Sequence, residues 1–271
     1  MSQENKSAKA AKEAAAQARA EAAKLEQGRQ RKIRLIGGAV VVLVMAGLIA
    51  IPLVSGKNKG PVTNGNAALP AGVTSKTYGV KVGPAWTAAN ADAIPMLQIW
   101  EDFQCPACGQ FEKSSGSALK ALIDAGKVRV EYRPTIFLDS NLSAQNTAAG
   151  NPNSSMLATI AFGCAVDASK AEEFHAGVFA AQPTPEGAGY SSDALTAIAQ
   201  SSGITGDAFK TWNDCFSSNK YESWVNNSFD LFSKEGVSST PTGLLNGTEL
   251  KGDVMFDPTK LTAAIQAATK S

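Results

Sequence analysis

The fold of this chain is decided at residues 100–108, WEDFQCPAC, where a strand pattern gives way to a helix pattern. Residues 94–101 (IPMLQIWE) form an apolar run typical of a buried strand, and a helix is expected after Cys105. Unpaired backbone N–H groups at a helix N-terminus stabilise negative charge, so Cys105 is expected to be a thiolate and the attacking sulfur. Pro106 suits the first helical turn, where its missing N–H would have no partner. The two-residue spacing allows Cys108 to close a disulfide with Cys105.

A zinc site and an inert structural disulfide are the other interpretations of this cysteine pair. A structural zinc site normally has four protein ligands, but the chain has no second CxxC pair and His175 is its only histidine. A position between a strand and a helix favours redox chemistry over an inert bridge. The prediction is a dithiol–disulfide pair, with no metal ligand and no cofactor.

The composition describes a folding chain without an electrostatic preference for nucleic acid. Its 271 residues are 44% hydrophobic and 18% charged, and the formal net charge is +1. A nearly neutral chain gives no reason to expect a polyanionic partner.

The first 75 residues divide into three segments outside the expected folded domain. Residues 1–32, rich in Ala, Lys, Glu and Gln, are predicted to be a solvated tail. Residues 33–54 contain an uncharged apolar run, and about 20 such residues cross a hydrocarbon core of roughly 30 Å. A cleaved signal peptide is the alternative, but the run exceeds the usual ~7–15 residues and no A-x-A site follows it. Residues 55–75, rich in Gly, Asn and Lys, are predicted to be a flexible linker.

Basic residues flank the predicted anchor unevenly. By the positive-inside rule, this places the N-terminus in the cytoplasm and the remainder outside, as in a single-pass cell-membrane protein. The residues are Arg29, Arg31, Lys32 and Arg34 on the N-terminal side, and Lys57 and Lys59 on the other.

The rest of the chain follows a mixed α/β pattern in the order β-α-β, a helical block over about 139–236, and β-β-α. Asn246 and Gly247 favour a two-residue hairpin turn. Asp257 is the expected N-cap of a last helix that begins with Pro258. The expected later elements are a strand over 128–137, a hairpin over 242–250 and a helix over 258–270.

With these features the chain resembles the DsbA-like branch of the thioredoxin superfamily, especially its membrane-tethered Gram-positive and actinobacterial members. The form EDFQCPxC, the helical block and the segment 237–242 (VSSTPT) carry the resemblance. The expected fold is an α/β thioredoxin-like domain over residues 76–271 with an inserted helical domain, preceded by one transmembrane helix. The resemblance identifies Pro241 as a cis proline facing the active sulfur and Thr240 as a backbone partner for an extended substrate chain. An ordinary trans turn is the alternative.

The resemblance implies a catalyst that introduces disulfide bonds into exported proteins. Its partners would be exported polypeptides with free or mispaired cysteines, together with a membrane quinone-linked protein that reoxidises it. A membrane-tethered reductase or isomerase is one alternative. A metal-binding or metal-delivery module that uses the CxxC sulfurs is another.

The chain departs from the family pattern at the buried acid that many thioredoxin-like proteins carry six positions before the first cysteine. That position is Ile99 here, and Glu101 and Asp102 lie at other positions. Asp102 is expected either to handle protons through water or to cap the active-site turn. His175 is expected to be a packed or surface residue and not a catalytic base.

Ala107 is the second departure, because strongly oxidising relatives often carry His there. The Cys105 pKa is therefore predicted to lie below the ordinary ~8.5 but above the ~3.5 of the strongest oxidant. The potential is predicted to lie between about −270 and −120 mV.

Cys164 and Cys215 remain once Cys105 and Cys108 are paired locally. Some actinobacterial relatives carry a structural disulfide in the helical block, and this pair resembles it. Two buried free thiols are the alternative, although an oxidising compartment favours the disulfide.

Overall fold

A mixed sheet forms the centre of the part of the chain that the computed structural model describes, residues 67–269. The strand order is β1-β3-β2-β4-β5. Strand β2 is parallel to β3, and the other neighbouring strands are antiparallel. The strands are β1 Val80–Val82, β2 Met96–Glu101, β3 Arg129–Pro134, β4 Thr242–Leu245 and β5 Thr248–Glu249.

Strand β2 is buried because it has a neighbour on each side and both of its faces are covered. Leu97 and Ile99 are almost fully excluded from solvent, which accounts for the apolar run in the sequence. Ile99 lies between Tyr132 of β3 and Gly243 of β4. Strand β2 ends at Glu101, so its carboxyl end leads directly into the turn that carries the CPAC motif.

Two short 3-10 helices, Pro84–Thr87 and Ala91–Ala93, lie between β1 and β2. The other helices fall into three groups along the chain. The first, between β2 and β3, consists of α1 Pro106–Phe111, a π-helical turn Glu112–Gly116 and α2 Ser117–Asp124. The second, between β3 and β4, is the helical insertion: α3 Phe137–Asn141, α4 Ser143–Ala148, α5 Ser154–Asp167, α6 Ala171–Ala180, α7 Ser192–Ser201, α8 Gly206–Ser217 and α9 Glu222–Lys234. The third is α10 Gly252–Met255 and α11 Pro258–Ala267.

Helix α5 is the core of the insertion, because it has no distinct polar face and ten of its 14 residues are buried. Gly163 gives its neighbours room: a Cβ there would lie 2.8 Å from a ring atom of Tyr221 and 2.9 Å from one of Trp224. Helix α8 is joined to α5 by a disulfide between Cys164 and Cys215, with an S–S distance of 2.01 Å. These two cysteines are therefore not the free thiols of the alternative interpretation.

The local predictions for the last third of the chain are confirmed. Asn246 and Gly247 both have positive φ, at 50° and 83°, as a tight hairpin between β4 and β5 requires. The Asp257 carboxylate accepts hydrogen bonds from the backbone N–H groups of Thr259 and Lys260 and so caps α11.

The first strand was not predicted. Strand β1 has three residues, too few to show a period, and pairs antiparallel with β3.

The packed region begins before Lys76: Pro70 and Val73 are buried, and the Ala71 N–H donates to Asp167 Oδ1 at 2.9 Å. The end of the predicted linker therefore packs on the domain.

The predicted tail, anchor and first part of the linker lie outside the described residues. Within residues 67–269, no helix is long and apolar enough to cross a membrane.

Candidate active site

The two cysteines of the CPAC motif lie at the start of α1, which is the helix that the sequence predicted after Cys105. Cys105 is the N-cap, with extended backbone, and Pro106 is the first helical residue. Both cysteines are free thiols. Cys105 is 7% exposed and Cys108 is fully buried, while Pro106 and Ala107 between them are exposed. Only the Cys105 sulfur is therefore open to attack.

Cys105 is an acidic thiol. Its neighbours lower its pKa to about 6, and the hydrogen bond from the Cys108 thiol contributes most. The Thr240 hydroxyl and the backbone N–H groups of Cys108 and Ala107 also lower the pKa of Cys105. Burial alone would raise this pKa. The value lies in the interval predicted from the sequence.

Cys108 has the opposite character. Burial raises the pKa of its thiol, and the hydrogen bond to Cys105 raises it further. At neutral pH the reduced pair is therefore one thiolate, at Cys105, and one thiol, at Cys108. This asymmetry separates the attacked sulfur from the internal one.

The loop before β4 faces the Cys105 sulfur. The Thr240–Pro241 peptide is cis, and Cys105 Sγ lies 3.3 Å from the carbonyl oxygen of Thr240. The Thr240 hydroxyl is buried and has no other hydrogen-bond partner within residues 67–269, which leaves its donor free for the Cys105 thiolate. The structure thus brings together four of the residues singled out in the sequence: Cys105, Cys108, Thr240 and Pro241.

An ion pair at the end of α9 fixes where this loop begins. Arg133 of β3 binds Glu235 with two contacts of 2.7 Å, from its Nη1 to Oε2 and from its Nη2 to Oε1. The Arg133 guanidinium also lies 4.0 Å from the ring centroid of Trp100. Gly236, at φ 72°, then turns the chain out of the helix. The loop is therefore tied to the sheet on the side of β3.

Asp102 caps the active-site turn, which is one of its two predicted roles. It is completely buried, and its Oδ1 accepts from the Gln104 N–H at 2.9 Å and from the Ser155 hydroxyl at 2.6 Å. Its Oδ2 accepts from the Leu138 N–H at 3.0 Å. These bonds join the CPAC turn to helices α3 and α5 of the insertion.

The insertion holds the same turn from the other side through Gln182, which the sequence did not indicate. Its Nε2 donates to the carbonyl oxygens of Phe103 and Cys105, at 2.9 Å each. Tyr190 Oη also contacts the Phe103 carbonyl oxygen, at 3.2 Å. The helical insertion is thus part of the scaffold that orients Cys105.

Glu101 and His175 form a buried pair near the cysteines. His175 is a packed residue, which is one of its two predicted placements, but its pairing with Glu101 was not predicted. Their side chains are 5% and 3% exposed, and His175 Nε2 lies 2.9 Å from Glu101 Oε2. Burial and the charge of Cys105 raise the pKa of Glu101, and burial lowers the pKa of His175. Ile99, at the position of the family's acid, is an ordinary core residue with no solvent exposure. The pair could have been suspected only from the polarity of Glu101 at the end of an apolar strand.

The comparisons agree with this geometry. A family model described as Thioredoxin matches residues 86–267. No curated protein matches the chain.

Several solved structures have the same fold. DsbA from Mycobacterium tuberculosis is 28% identical, with a TM-score of 0.56, over 71% of this chain and 93% of that one. DsbG, a disulfide bond oxidoreductase from the same organism, is 28% identical, with a TM-score of 0.57, over 71% and 88%. MdbA from Actinomyces oris, a thiol-disulfide oxidoreductase, has a TM-score of 0.59 over 76% and 93%, and at 20% identity it supports the fold alone.

Proposed function

Because the chain belongs to the thioredoxin family and is a DsbA-like protein thiol–disulfide oxidoreductase, we propose that it introduces disulfide bonds into exported proteins. The observation that carries the direction of transfer is the position of Cys105 at the N-terminus of α1, where the neighbouring hydrogen-bond donors lower its pKa to about 6. A stabilised thiolate favours the reduced enzyme, so the oxidised enzyme readily accepts electrons from substrate thiols.

The reaction consists of two exchanges. A substrate thiolate attacks the Cys105 sulfur of the oxidised enzyme, forms a mixed disulfide and releases Cys108. The Cys108 thiolate takes up a proton, because burial raises its pKa. A second substrate thiolate then attacks the substrate sulfur of the mixed disulfide, and Cys105 leaves as a thiolate. Two electrons pass from the substrate to the enzyme, and the substrate gains one disulfide.

The loop at Thr240 and Pro241 is the proposed docking site for the substrate backbone. Its position, 3.3 Å from Cys105 Sγ to the Thr240 carbonyl oxygen, places a bound chain next to the attacked sulfur. Pairing through main-chain groups is largely independent of sequence. That property suits an enzyme whose substrates are exported polypeptides with free or mispaired cysteines.

The place of action is the outer side of the cell membrane. The apolar run within residues 33–54 and the excess of basic residues before it support a single-pass anchor with its N-terminus in the cytoplasm. The Cys164–Cys215 disulfide also suits an oxidising compartment. Each turnover leaves two electrons on the enzyme, so a reoxidising partner is required, and a quinone-linked membrane protein would accept them.

The function is tested with the full-length protein in detergent and a reduced substrate that has several cysteines. The oxidised wild type should restore the substrate's disulfides, and Cys105→Ser should abolish turnover. Cys108→Ser cannot form the enzyme disulfide and should restore none; given the oxidised substrate instead, its Cys105 thiolate should attack a substrate disulfide and leave a mixed disulfide that lacks Cys108 to resolve it. Gln110→Ala, an exposed change on the same helix, is the matched control and should retain full activity. A wild type that transfers no oxidising equivalents would contradict the proposal.

The potential decides between an oxidase and the reductase or isomerase alternatives. Equilibration with glutathione should give a value between about −270 and −120 mV. A value below about −270 mV would favour a reductase.

In intact cells, an impermeant maleimide should label the reduced protein, and labelling only after lysis would contradict an outer location.

A further inference from the structure

Three side chains that are distant in sequence meet in one cluster near the active-site helix. Glu101 ends β2, Glu112 directly follows α1, and His175 lies in α6. One ligand atom from each, a carboxylate oxygen or a ring nitrogen, lies within 4.8 Å of the other two. Glu101 Oε2 and His175 Nε2 are 2.9 Å apart. We refer to these residues as the Glu101–Glu112–His175 cluster.

Two oxygen atoms of the cluster lack a partner. Glu101 Oε1 and Glu112 Oε1 are shielded from solvent and make no hydrogen bond within residues 67–269. Glu101 itself is buried. An unsatisfied buried polar atom costs about 1–3 kcal/mol, and more when it is charged. Such atoms in a native protein call for an explanation, of which a bound ion is one.

The charge of the cluster is also unbalanced. Neither carboxylate forms an ion pair with a lysine or arginine of the described region. Within that region, the one basic side chain within 4.0 Å of either carboxylate is His175, which contacts Glu101. Two carboxylates that are shielded from solvent, fully at Glu101 and in part at Glu112, need compensating positive charge. Either bound protons or one divalent cation can supply it, and only a cation would also use the unpaired oxygens together with the imidazole nitrogen.

We propose that the Glu101–Glu112–His175 cluster binds one divalent transition-metal ion of the Zn²⁺ type. One imidazole and two carboxylates are a ligand set that Zn²⁺ accepts, whereas Ca²⁺ and Mg²⁺ prefer oxygen alone. Ligand atoms about 2.1 Å from a common Zn²⁺ stand about 3.4 Å apart in a tetrahedron. Since Glu101 and His175 already lie closer than this, Glu112 is the ligand that has to approach.

Glu112 is placed for such an approach. It is half-buried at the start of the π-helical turn, a distortion often found at functional sites. A Cβ on residue 116 would lie 2.7 Å from Glu112 Oε2, so Gly116 leaves the carboxylate the space it occupies. Glu112 and His175 both line a cavity of about 740 Å³, which gives an ion a route from solvent.

The test uses the full-length protein with the Cys105–Cys108 pair oxidised. In that state no free thiol remains, because Cys164 and Cys215 are already joined. The protein carries no polyhistidine tag, so His175 is its only imidazole. Zn²⁺ is titrated against a competing chelator, and Co²⁺ is used as a spectroscopic probe of the ligand type. One Zn²⁺ per chain and a tetrahedral Co²⁺ spectrum without sulfur-to-metal bands are expected.

Three variants locate the ion. His175→Gln and Glu112→Gln should each weaken Zn²⁺ binding more than about tenfold. Loss of a group that only supports a metal ligand already weakens metal affinity about 10–100-fold, and these two residues are the proposed ligands themselves. Glu172→Gln is the matched control, because Glu172 lines the same cavity outside the cluster, and it should bind as the wild type does. If His175→Gln does not fold, Glu112→Gln alone decides the test, because Glu112 is half-buried and glutamine has the same shape as glutamate.

Two results would overturn the proposal. Oxidised wild type that binds no Zn²⁺ at micromolar concentration would mean that protons alone balance the two carboxylates. Zn²⁺ binding that persists in Glu112→Gln would place the ion elsewhere. The readouts are independent of disulfide transfer, so failure of the metal site and failure of the proposed function are distinguishable.

Discussion

Replacing Thr240 by valine should make the Cys105 thiol about tenfold less acidic. The Thr240 hydroxyl is one of the groups that lower the Cys105 pKa to about 6, and valine keeps the shape but removes the donor. A hydrogen bond to a charged group contributes about 1.5–3 kcal/mol, and a tenfold change in acidity corresponds to about 1.4 kcal/mol. The lower end of the range therefore gives the tenfold loss.

The same substitution should lower the redox potential. A pKa of about 6 against an ordinary ~8.5 stabilises the reduced enzyme by about 1.4 kcal/mol at pH 7, or about 30 mV for a two-electron couple. A tenfold less acidic thiol keeps about 0.4 kcal/mol of this, so the variant should be about 20 mV more reducing. Because the folded-state pKa is lowered, the stabilisation is complete above about pH 8.5 and is lost as the pH falls through about 6.

The assay is the pH dependence of Cys105 alkylation in the reduced protein, with the potential measured against glutathione. At pH 6 about half of the wild-type thiol is ionised against about a tenth in the variant, so valine should slow alkylation about fivefold. Thr240→Ser keeps the hydroxyl and should behave as the wild type. Equal alkylation profiles for the valine variant and the wild type would refute the reasoning, as would a wild-type profile centred near that of free cysteine.

Three further changes test the scaffold, each by denaturant unfolding. Replacing Cys164 and Cys215 together by alanine should cost about 4 kcal/mol, since their sequence separation of 51 closes a long loop; a loss below about 1 kcal/mol would contradict this. Gly163→Ala should destabilise α5, because overpacking costs about 1–3 kcal/mol and outweighs the ~1 kcal/mol gain in helix propensity; a stabilised variant would show that the aromatic rings yield. Gln182→Leu should lose about 1–3 kcal/mol and slow turnover, because both bonds to the active-site turn are removed; unchanged turnover would show that the CPAC turn orients Cys105 without them.

Much of the site could be predicted because its chemistry is local. The backbone N–H groups that act on Cys105 belong to Ala107 and Cys108, within three residues of the sulfur. The Asn246–Gly247 turn and the Asp257 cap are likewise fixed by neighbouring residues. Such features follow from residue types at short spacing, so the sequence alone indicated the nucleophile, the hairpin and the last helix.

The parts that could not be predicted depend on which distant residues the fold brings together. Glu101 and His175 are separated by 74 positions, and Arg133 and Glu235 by 102. Their partners are chosen by how the helical insertion packs on the sheet, and no short pattern records that packing. By itself the sequence determined the reactive sulfur and its neighbouring thiol. Only the tertiary structure decided which buried charges face one another, because burial and distance, not residue type, set the free energy of a charge inside a protein.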